Sequence, residues 1–353
     1  MCQHQKSKKY IWIIIGCIAL LLLVAGSIIC LRFREHIYGV NLSVTGEEAC
    51  FLYLPTGSTF DDVCARLEEA GLHDAASFRL IAGKMNYPAR VKAGRYRLTD
   101  SMSNIELIRM LRSGRQIPVK VVFNNIRINT QLAEAVAPSI EVDSAGIMAL
   151  LTDSVYLAAH FRHTPQTILS LCIPNTYEFF WNTSAQDFLD RMAKEHDRFW
   201  TESRRQKARD AQLTPLQVSI LASIIEEETQ KDDEKPIMAG VYINRLNKEI
   251  PLQADPTVKY AAGDFSIRRV LNKHKEIQSP YNTYLNVGLP PGPICIPSIA
   301  SIDAVLNYSK HDYLFFCAKE DFSGYHNFAR TNAQHSRNAQ AYQRALNHRK
   351  IYQ

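Results

Sequence analysis

Three consecutive glutamates, Glu226, Glu227 and Glu228, close the stretch Thr214–Gln230, TPLQVSILASIIEEETQ. They end a run that reads as an apolar helix, so their carboxylates cannot be equivalent. At about 100° per residue, Val218, Ile220, Leu221, Ile224 and Ile225 fan around one broad face. Glu228 falls near the middle of that face, four residues after Ile224 and three after Ile225. Glu226 projects the opposite way, beside Ser219 and Ala222, and Glu227 lies at the margin. A carboxyl carried inward on an apolar face has its pKa raised, because desolvation penalises the charged form. Such a group can donate a proton near neutral pH. The bland alternative is a fraying helix end with solvated glutamates, or an inward glutamate held in a structural ion pair.

The elements around this stretch must position it. Thr214 as N-cap, Pro215 at the first helical position and Gln217 three residues on form a capping box, so the helix start is well specified. An amphipathic helix over Ala185–Gln206, with Phe188, Met192 and Phe199 inward, precedes it, and a helix over Glu234–Asn247 follows. In Leu252–Val258, Asp255-Pro256-Thr257 reads as a turn starting a helix toward Tyr260. Ser279–Tyr284 and Gly288–Ile294 form a loop stiffened by four prolines and rich in Tyr, Asn and Thr, which suits a polar ligand. Ser298–Leu306 reads as a helix, Tyr313–Ala318 as a strand, His326–Phe328 as a short strand or turn, and Thr331–His348 as a polar helix. Upstream, Val119–Phe123 is a strand, and Asn129–Val136 and Ser144–Leu151 are helices. The aromatics of Ile173–Trp181 suit either a carbohydrate groove or ordinary core.

The chain of 353 residues is 46% hydrophobic and 22% charged, as expected of a folded protein with sizeable cores. Its net charge of +6 permits weak attraction to an acidic polymer, but no dense basic patch interleaved with aromatics argues for nucleic acid. Met1–Tyr10 is polar and carries Lys6, Lys8 and Lys9, and Ile11–Leu31 is an uncharged apolar run long enough for one membrane crossing. The lysines favour a cytoplasmic tail over 1–10 and a retained anchor over 11–31, although Arg32 and Arg34 weaken the contrast. A cleaved signal peptide is disfavoured by the length of the run. Of the eight cysteines none forms a CxxC pair or a zinc-spaced cluster, so no metal site is indicated. The five beyond the anchor, an odd number and so not a full disulfide framework, read as small buried hydrophobes, with a Cys50–Cys64 bridge left open.

Residues 36–118 read as a small module of short strand (Cys50–Leu54), helix (Thr59–Ala70), helix (Ala75–Met85) and strand (Ala93–Leu98), with a further helix over Ser103–Arg112. This order resembles a LysM-like wall-binding module, and a plain spacer is the equal alternative. The predicted fold class is thus α+β: an N-terminal transmembrane helix, a small LysM-like α/β module over 36–118, and a mixed α+β catalytic domain over 119–353.

Five motifs in order carry a family resemblance: Leu221–Thr229, Val241–Leu246, Leu252–Val258, Tyr281–Tyr284 and Gly288–Gly292. With Pro174–Tyr177 and His326–Phe328 they resemble the YceG-like (MltG) endolytic murein transglycosylases, and the anchor and the module resemble that family's layout. Two departures are Glu227, where lysine is frequent, and Ala254, where threonine is frequent. The resemblance implies a membrane-anchored lytic transglycosylase that cleaves the MurNAc–GlcNAc β-1,4 bond of peptidoglycan glycan strands. It leaves 1,6-anhydro-MurNAc ends, with termination of nascent strands as one use, and needs no cofactor. Its catalytic glutamate maps to Glu228. Asn175, Gln253, Asp255, Thr257, Tyr281, Asn282, Thr283 and His326 are candidates for glycan contacts or for orienting Glu228, with Glu226 and Arg245 in support, Glu226 facing a base such as Arg245. The implied partners are peptidoglycan strands, the cell membrane and peptidoglycan synthases, with the catalytic domain extracytoplasmic. Three alternatives compete: a hydrolase using Asp255 as second carboxylate, a non-catalytic wall-binding scaffold in an envelope-synthesis complex, and a binder of another polysaccharide.

Overall fold

A long apolar helix, α1 (Cys2–Tyr38), begins the chain. The computed structural model describes residues 2–44, 50–124 and 126–349. Within α1, Trp12–Tyr38 is long and apolar enough to cross a membrane, and none of its most apolar window is buried against protein. Two compact units follow from the packing. The first holds residues up to Val119 together with Phe179–Asn182, and the second holds Lys120–Glu178 and Thr183 onward.

After α1, the first unit contains β1 (Val40–Leu42), β2 (Cys50–Leu54), α2 (Phe60–Glu69), α3 (Ala75–Lys84), β3 (Gly94–Leu98), β4 (Met102–Ser103) and α4 (Asn104–Ser113). Its helix starts are set by side chains. Thr59 and Asp62 form a capping box on α2, and on α4 the Ser103 N–H and hydroxyl both donate to Glu106. β2 and β3 pair antiparallel from Cys50↔Leu98 to Leu54↔Gly94, giving the expected strand–helix–helix–strand order. Leu54, Val63, Leu67, Phe78, Tyr96 and Leu107 fill the core beneath. Cys50 and Cys64 are both unbonded, which removes the bridge left open above: Cys64 is buried in this core as a small hydrophobe.

The second unit runs β5 (Val119–Val122), α5 (Asn129–Val136), α6 (Ser144–Thr152), α7 (Ser154–Phe161), β6 (Thr176–Phe179), α8 (Ala185–Phe199), α9 (Glu202–Asp210), α10 (Pro215–Glu228), α11 (Lys235–Asn247), α12 (Asp255–Ala262), α13 (Asn272–Lys275), α14 (Ile299–Leu306), β7 (Phe315–Ala318), β8 (His326–Ala329) and α15 (Asn332–His348). β5 pairs with β6, and β7 pairs antiparallel with β8. The helix expected over Ala185–Gln206 is two helices: Trp200 is buried at the corner, and Thr201 caps α9 by accepting the Arg204 N–H. In Ile173–Trp181, Tyr177 is core, stacked on Phe123 with ring centroids 5.6 Å apart. The proline-rich loop stays irregular, and at Gly292 a Cβ would lie 2.0 Å from the Gln166 carbonyl, so only glycine fits. The main core gathers around α10, α11 and α14.

Candidate active site

The capping box opens α10 as its sequence dictates. Thr214 Oγ1 accepts the Gln217 N–H (3.2 Å) and Gln217 Oε1 accepts the Thr214 N–H (2.8 Å). Every residue from Val218 to Ile225 is buried, including Ser219, Ala222 and Ser223. The helix therefore has no open side, in contrast to the one-faced helix read from its apolar pattern. Small and hydroxylated residues let α14 approach, and Ser223 Oγ donates to the Ile220 carbonyl and accepts the Ile294 N–H.

The three glutamates accordingly end in three environments. Glu226 meets α14, where the Ser298 and Ser301 hydroxyls donate to Oε2, and Lys235 Nζ lies 3.5 Å away. Its basic partner is Lys235 and not Arg245, a correction that follows from the buried far side of α10. Burial pushes the Glu226 pKa up, but the two hydroxyls and the Lys235 charge outweigh it, and the net direction is down. Glu227 takes a two-pronged pair from Arg127 (3.2 and 3.0 Å), whose guanidinium lies over the Phe265 ring.

Glu228 opens into a cavity of about 360 Å³. Tyr242, buried on α11, donates its hydroxyl to Glu228 Oε1 at 2.6 Å. Burial pushes the Glu228 pKa up to about 7; the negative charges of Asp255 and Glu227 add to the rise, while the Tyr242 hydrogen bond and Lys259 oppose it. Burial and the Glu228 charge push the Tyr242 phenol well above its ordinary pKa, so it remains a donor. The site thus holds a carboxyl that is part acid and part carboxylate at neutral pH, fixed by a neutral phenol.

Gln253 and Asp255 also line the cavity. The Tyr284 hydroxyl donates to Asp255 at 2.6 Å. Gln253 is a non-glycine residue in the left-handed region (φ 53°), held there by donating its N–H to the Thr283 carbonyl. Arg245 is 7% exposed and reaches the cavity from α11. It donates to the carbonyls of Leu314, Pro251 and Leu252, clamping β7's approach to the Gln253 loop.

Other expected residues stand behind the wall. Thr257 and Thr283 are buried together with their hydroxyls 2.8 Å apart; Thr257 donates to the Ala254 carbonyl, and Thr283 accepts the Ala254 N–H. Asn282 is buried too, donating to the Lys275 and Ile277 carbonyls and accepting the Tyr284 N–H. The polar atoms of these three are engaged with the fold, so the contact reading gives way to a supporting one. His326 pairs with Glu234 at 3.0 Å and sets its ring edge-on behind Phe316, which does line the cavity. Tyr281 packs against Tyr260, ring centroids 4.6 Å apart, away from the cavity wall. Asn175 is exposed, accepts the Thr176 N–H and is not on the wall either.

Sequence reading passed over several wall residues. Tyr242 was legible in principle, three residues before Arg245 and so on one helix face. Tyr284 lay inside a quoted motif. Asn332 and His335 come from α15, a helix with no fully buried residue, whose polar pattern gives no sign of a cavity. Among the described residues, no group of His, Cys, Asp or Glu is arranged to hold a metal.

Comparison with known proteins follows the same outline. The YceG-like family model matches residues 52–341. A Bacillus subtilis (strain 168) protein named endolytic murein transglycosylase is 30% identical over 304 residues, covering 82% of this chain and 83% of that protein. A Streptococcus pneumoniae (strain D39) protein of the same name is 28% identical over 315 residues; the match covers 81% of this chain but only 57% of the longer relative. The crystal structure of a YceG-like protein from Listeria monocytogenes is 28% identical with a TM-score of 0.54, covering 83% of this chain and 99% of that one.

Proposed function

The chain belongs to the YceG-like family, and from that premise we propose that it is a lytic transglycosylase of peptidoglycan. The observation that carries the reading is Glu228, a carboxyl with pKa about 7 facing a cavity and held by one neutral donor. Glu228 is the general acid that protonates the glycosidic oxygen leaving the MurNAc C1. As carboxylate it then takes the proton of the same sugar's C6 hydroxyl as that oxygen attacks C1, which closes the 1,6-anhydro ring. No water is positioned and no second carboxylate is required, unlike hydrolytic glycosidases. Tyr242 fixes the Oε1 lone pair and leaves Oε2 to carry the proton. Gln253, Asp255, Arg245 and the α15 residues are placed to meet sugar hydroxyls, while Thr257, Asn282 and Thr283 shape the loop behind them.

The finer reading adds an anchor. α1 crosses the cell membrane once and holds the second unit on the extracytoplasmic side, within reach of nascent strands, and the strand–helix–helix–strand module serves as a wall-binding element. Asp255 in the same cavity keeps a hydrolytic reading in view, and product chemistry separates the two. Digesting purified sacculi and weighing the fragments by mass spectrometry tests the proposal. Anhydro-muropeptides from the wild type and their loss in Glu228→Gln are expected; reducing MurNAc ends would show a hydrolase.

A further inference from the structure

A second cleft, of about 580 Å³, lies in the first unit between β3, β4 and α4 and the segment that follows α4. Arg97, Arg109 and Arg115 line it, with Thr99 and Ser101 beside them and Met102, Met110 and Ile117 as apolar residues. The ion pairs among the described residues include none of these arginines. The cleft's own carboxylates are ionised and hydrogen-bonded within the fold: Glu106 accepts the Ser103 N–H and hydroxyl, and Asp100 accepts the Val44 N–H and the Ser101 hydroxyl, so the three guanidiniums outnumber them by one. Charge concentrates here as well. Between Arg90 and Lys120, eight arginines and lysines face only Asp100 and Glu106, a balance equal to the +6 of the entire chain.

The position of the cleft selects its ligand. β4 pairs with β1, directly after the apolar helix, and the Asn104 side chain at the start of α4 donates to the His36 carbonyl at 2.8 Å. His36 lies five residues beyond Leu31, the end of the apolar run, or about 7–8 Å along the helix axis. A headgroup layer is roughly 5–8 Å thick on each side of the hydrocarbon. Resting on the proposal that α1 spans the membrane, this sets the β4 wall of the cleft, where Met102 pairs with Leu42, just beyond the outer edge of the headgroups. Guanidinium forks match phosphate oxygens two at a time, and an apolar wall suits the glycerol and first acyl carbons. We infer that the cleft lined by Arg97, Arg109 and Arg115 binds the phosphodiester headgroup of an anionic phospholipid and so orients the first unit on the membrane.

The test uses the full chain reconstituted in nanodiscs of equimolar phosphatidylcholine and phosphatidylglycerol, then released for native mass spectrometry. The wild type should retain phosphatidylglycerol in preference to phosphatidylcholine. At about fivefold per basic residue, R97Q/R109Q/R115Q should lower that retention on the order of 100-fold, while its far-UV circular dichroism and its insertion into the nanodisc stay those of the wild type. If the triple variant does not fold, R109Q alone should lower retention about fivefold. Equal retention in the variants, or phosphatidylcholine held as well as phosphatidylglycerol, overturns the assignment. Binding of glycerol 1-phosphate by a wild type that retains no phosphatidylglycerol assigns the cleft to free phosphate and overturns the lipid source, as does replacement by soluble glycan strands. A chain that inserts into nanodiscs but retains no anionic lipid refutes the cleft alone; one that stays soluble without detergent refutes the anchor on which the inference rests.

Discussion

Removing one hydroxyl tests the cavity most directly. Tyr242 is 1% exposed and gives Glu228 a single hydrogen bond of 2.6 Å. Tyr242→Phe keeps the ring and deletes the donor. A hydrogen bond to a charged group contributes about 1.5–3 kcal/mol, and it favours the carboxylate over the acid. Since about 1.4 kcal/mol corresponds to one pH unit, its loss raises the Glu228 pKa from about 7 to roughly 8–9. In a one-carboxylate mechanism Glu228 must start protonated, so kcat/KM has a single limb that falls as pH rises through this pKa. The variant should move that limb upward by about one to two pH units. Below pH 6 its rate should drop, roughly tenfold, because a weaker and less fixed acid delivers the proton, with KM nearly unchanged. The assay is anhydro-muropeptide release from soluble glycan strands across pH. A limb that stays in place or moves to lower pH refutes the reasoning, and a bell-shaped wild-type profile would point to a second carboxylate.

Glu228→Gln should lower anhydro-product formation by about 10²–10⁴-fold, with circular dichroism unchanged. The same variant should resist urea better than the wild type at pH 8. The folded-state pKa of Glu228 lies above its ordinary 4.5, at about 7, so the wild type keeps this contribution below pH 4.5 and loses it as pH rises through 7. The gain for the variant is at most about 3 kcal/mol, and equal stabilities at pH 8 would show Glu228 to be unperturbed. Glu226 titrates with the opposite sign, because Ser298, Ser301 and Lys235 draw its pKa below 4.5 despite burial. Glu226→Gln should therefore cost about 1–3 kcal/mol at pH 7, a penalty that fades as pH falls below 4.5 and is read from denaturation midpoints at pH 7 and pH 3.

Much of α10 was legible because local rules coincide there: a threonine cap, a proline at the first position and a glutamine at the third all mark one start. The inward placement of Glu228 followed from periodicity. What periodicity could not show was that Ser219, Ala222 and Ser223 also pack against protein, since small residues read as a polar face until a partner helix is known to lie there. Glu226 was misassigned for that reason. Thr257, Asn282 and Thr283 were drawn toward substrate because hydroxyl and amide side chains serve glycans and buried loops alike. Only the direct bonds among Thr257, Ala254 and Thr283 distinguish the two uses. Asn332 and His335 stayed invisible because a long-range chain return brings α15 to the cavity, and nothing local encodes it.

The walls of the cavity differ in how much of the fold must open to move them. Amides of α10 from Ile220 to Ile225 sit on an element buried on every side, so their hydrogen exchange should require global unfolding. α15, with no fully buried residue, carries Asn332 and His335 on an element that local fraying can release. Its amides should exchange orders of magnitude faster than those behind Glu228. On the proposed function, a long polymer can then enter by displacing the soft wall, while Glu228, at the end of α10, stays registered on the slow one.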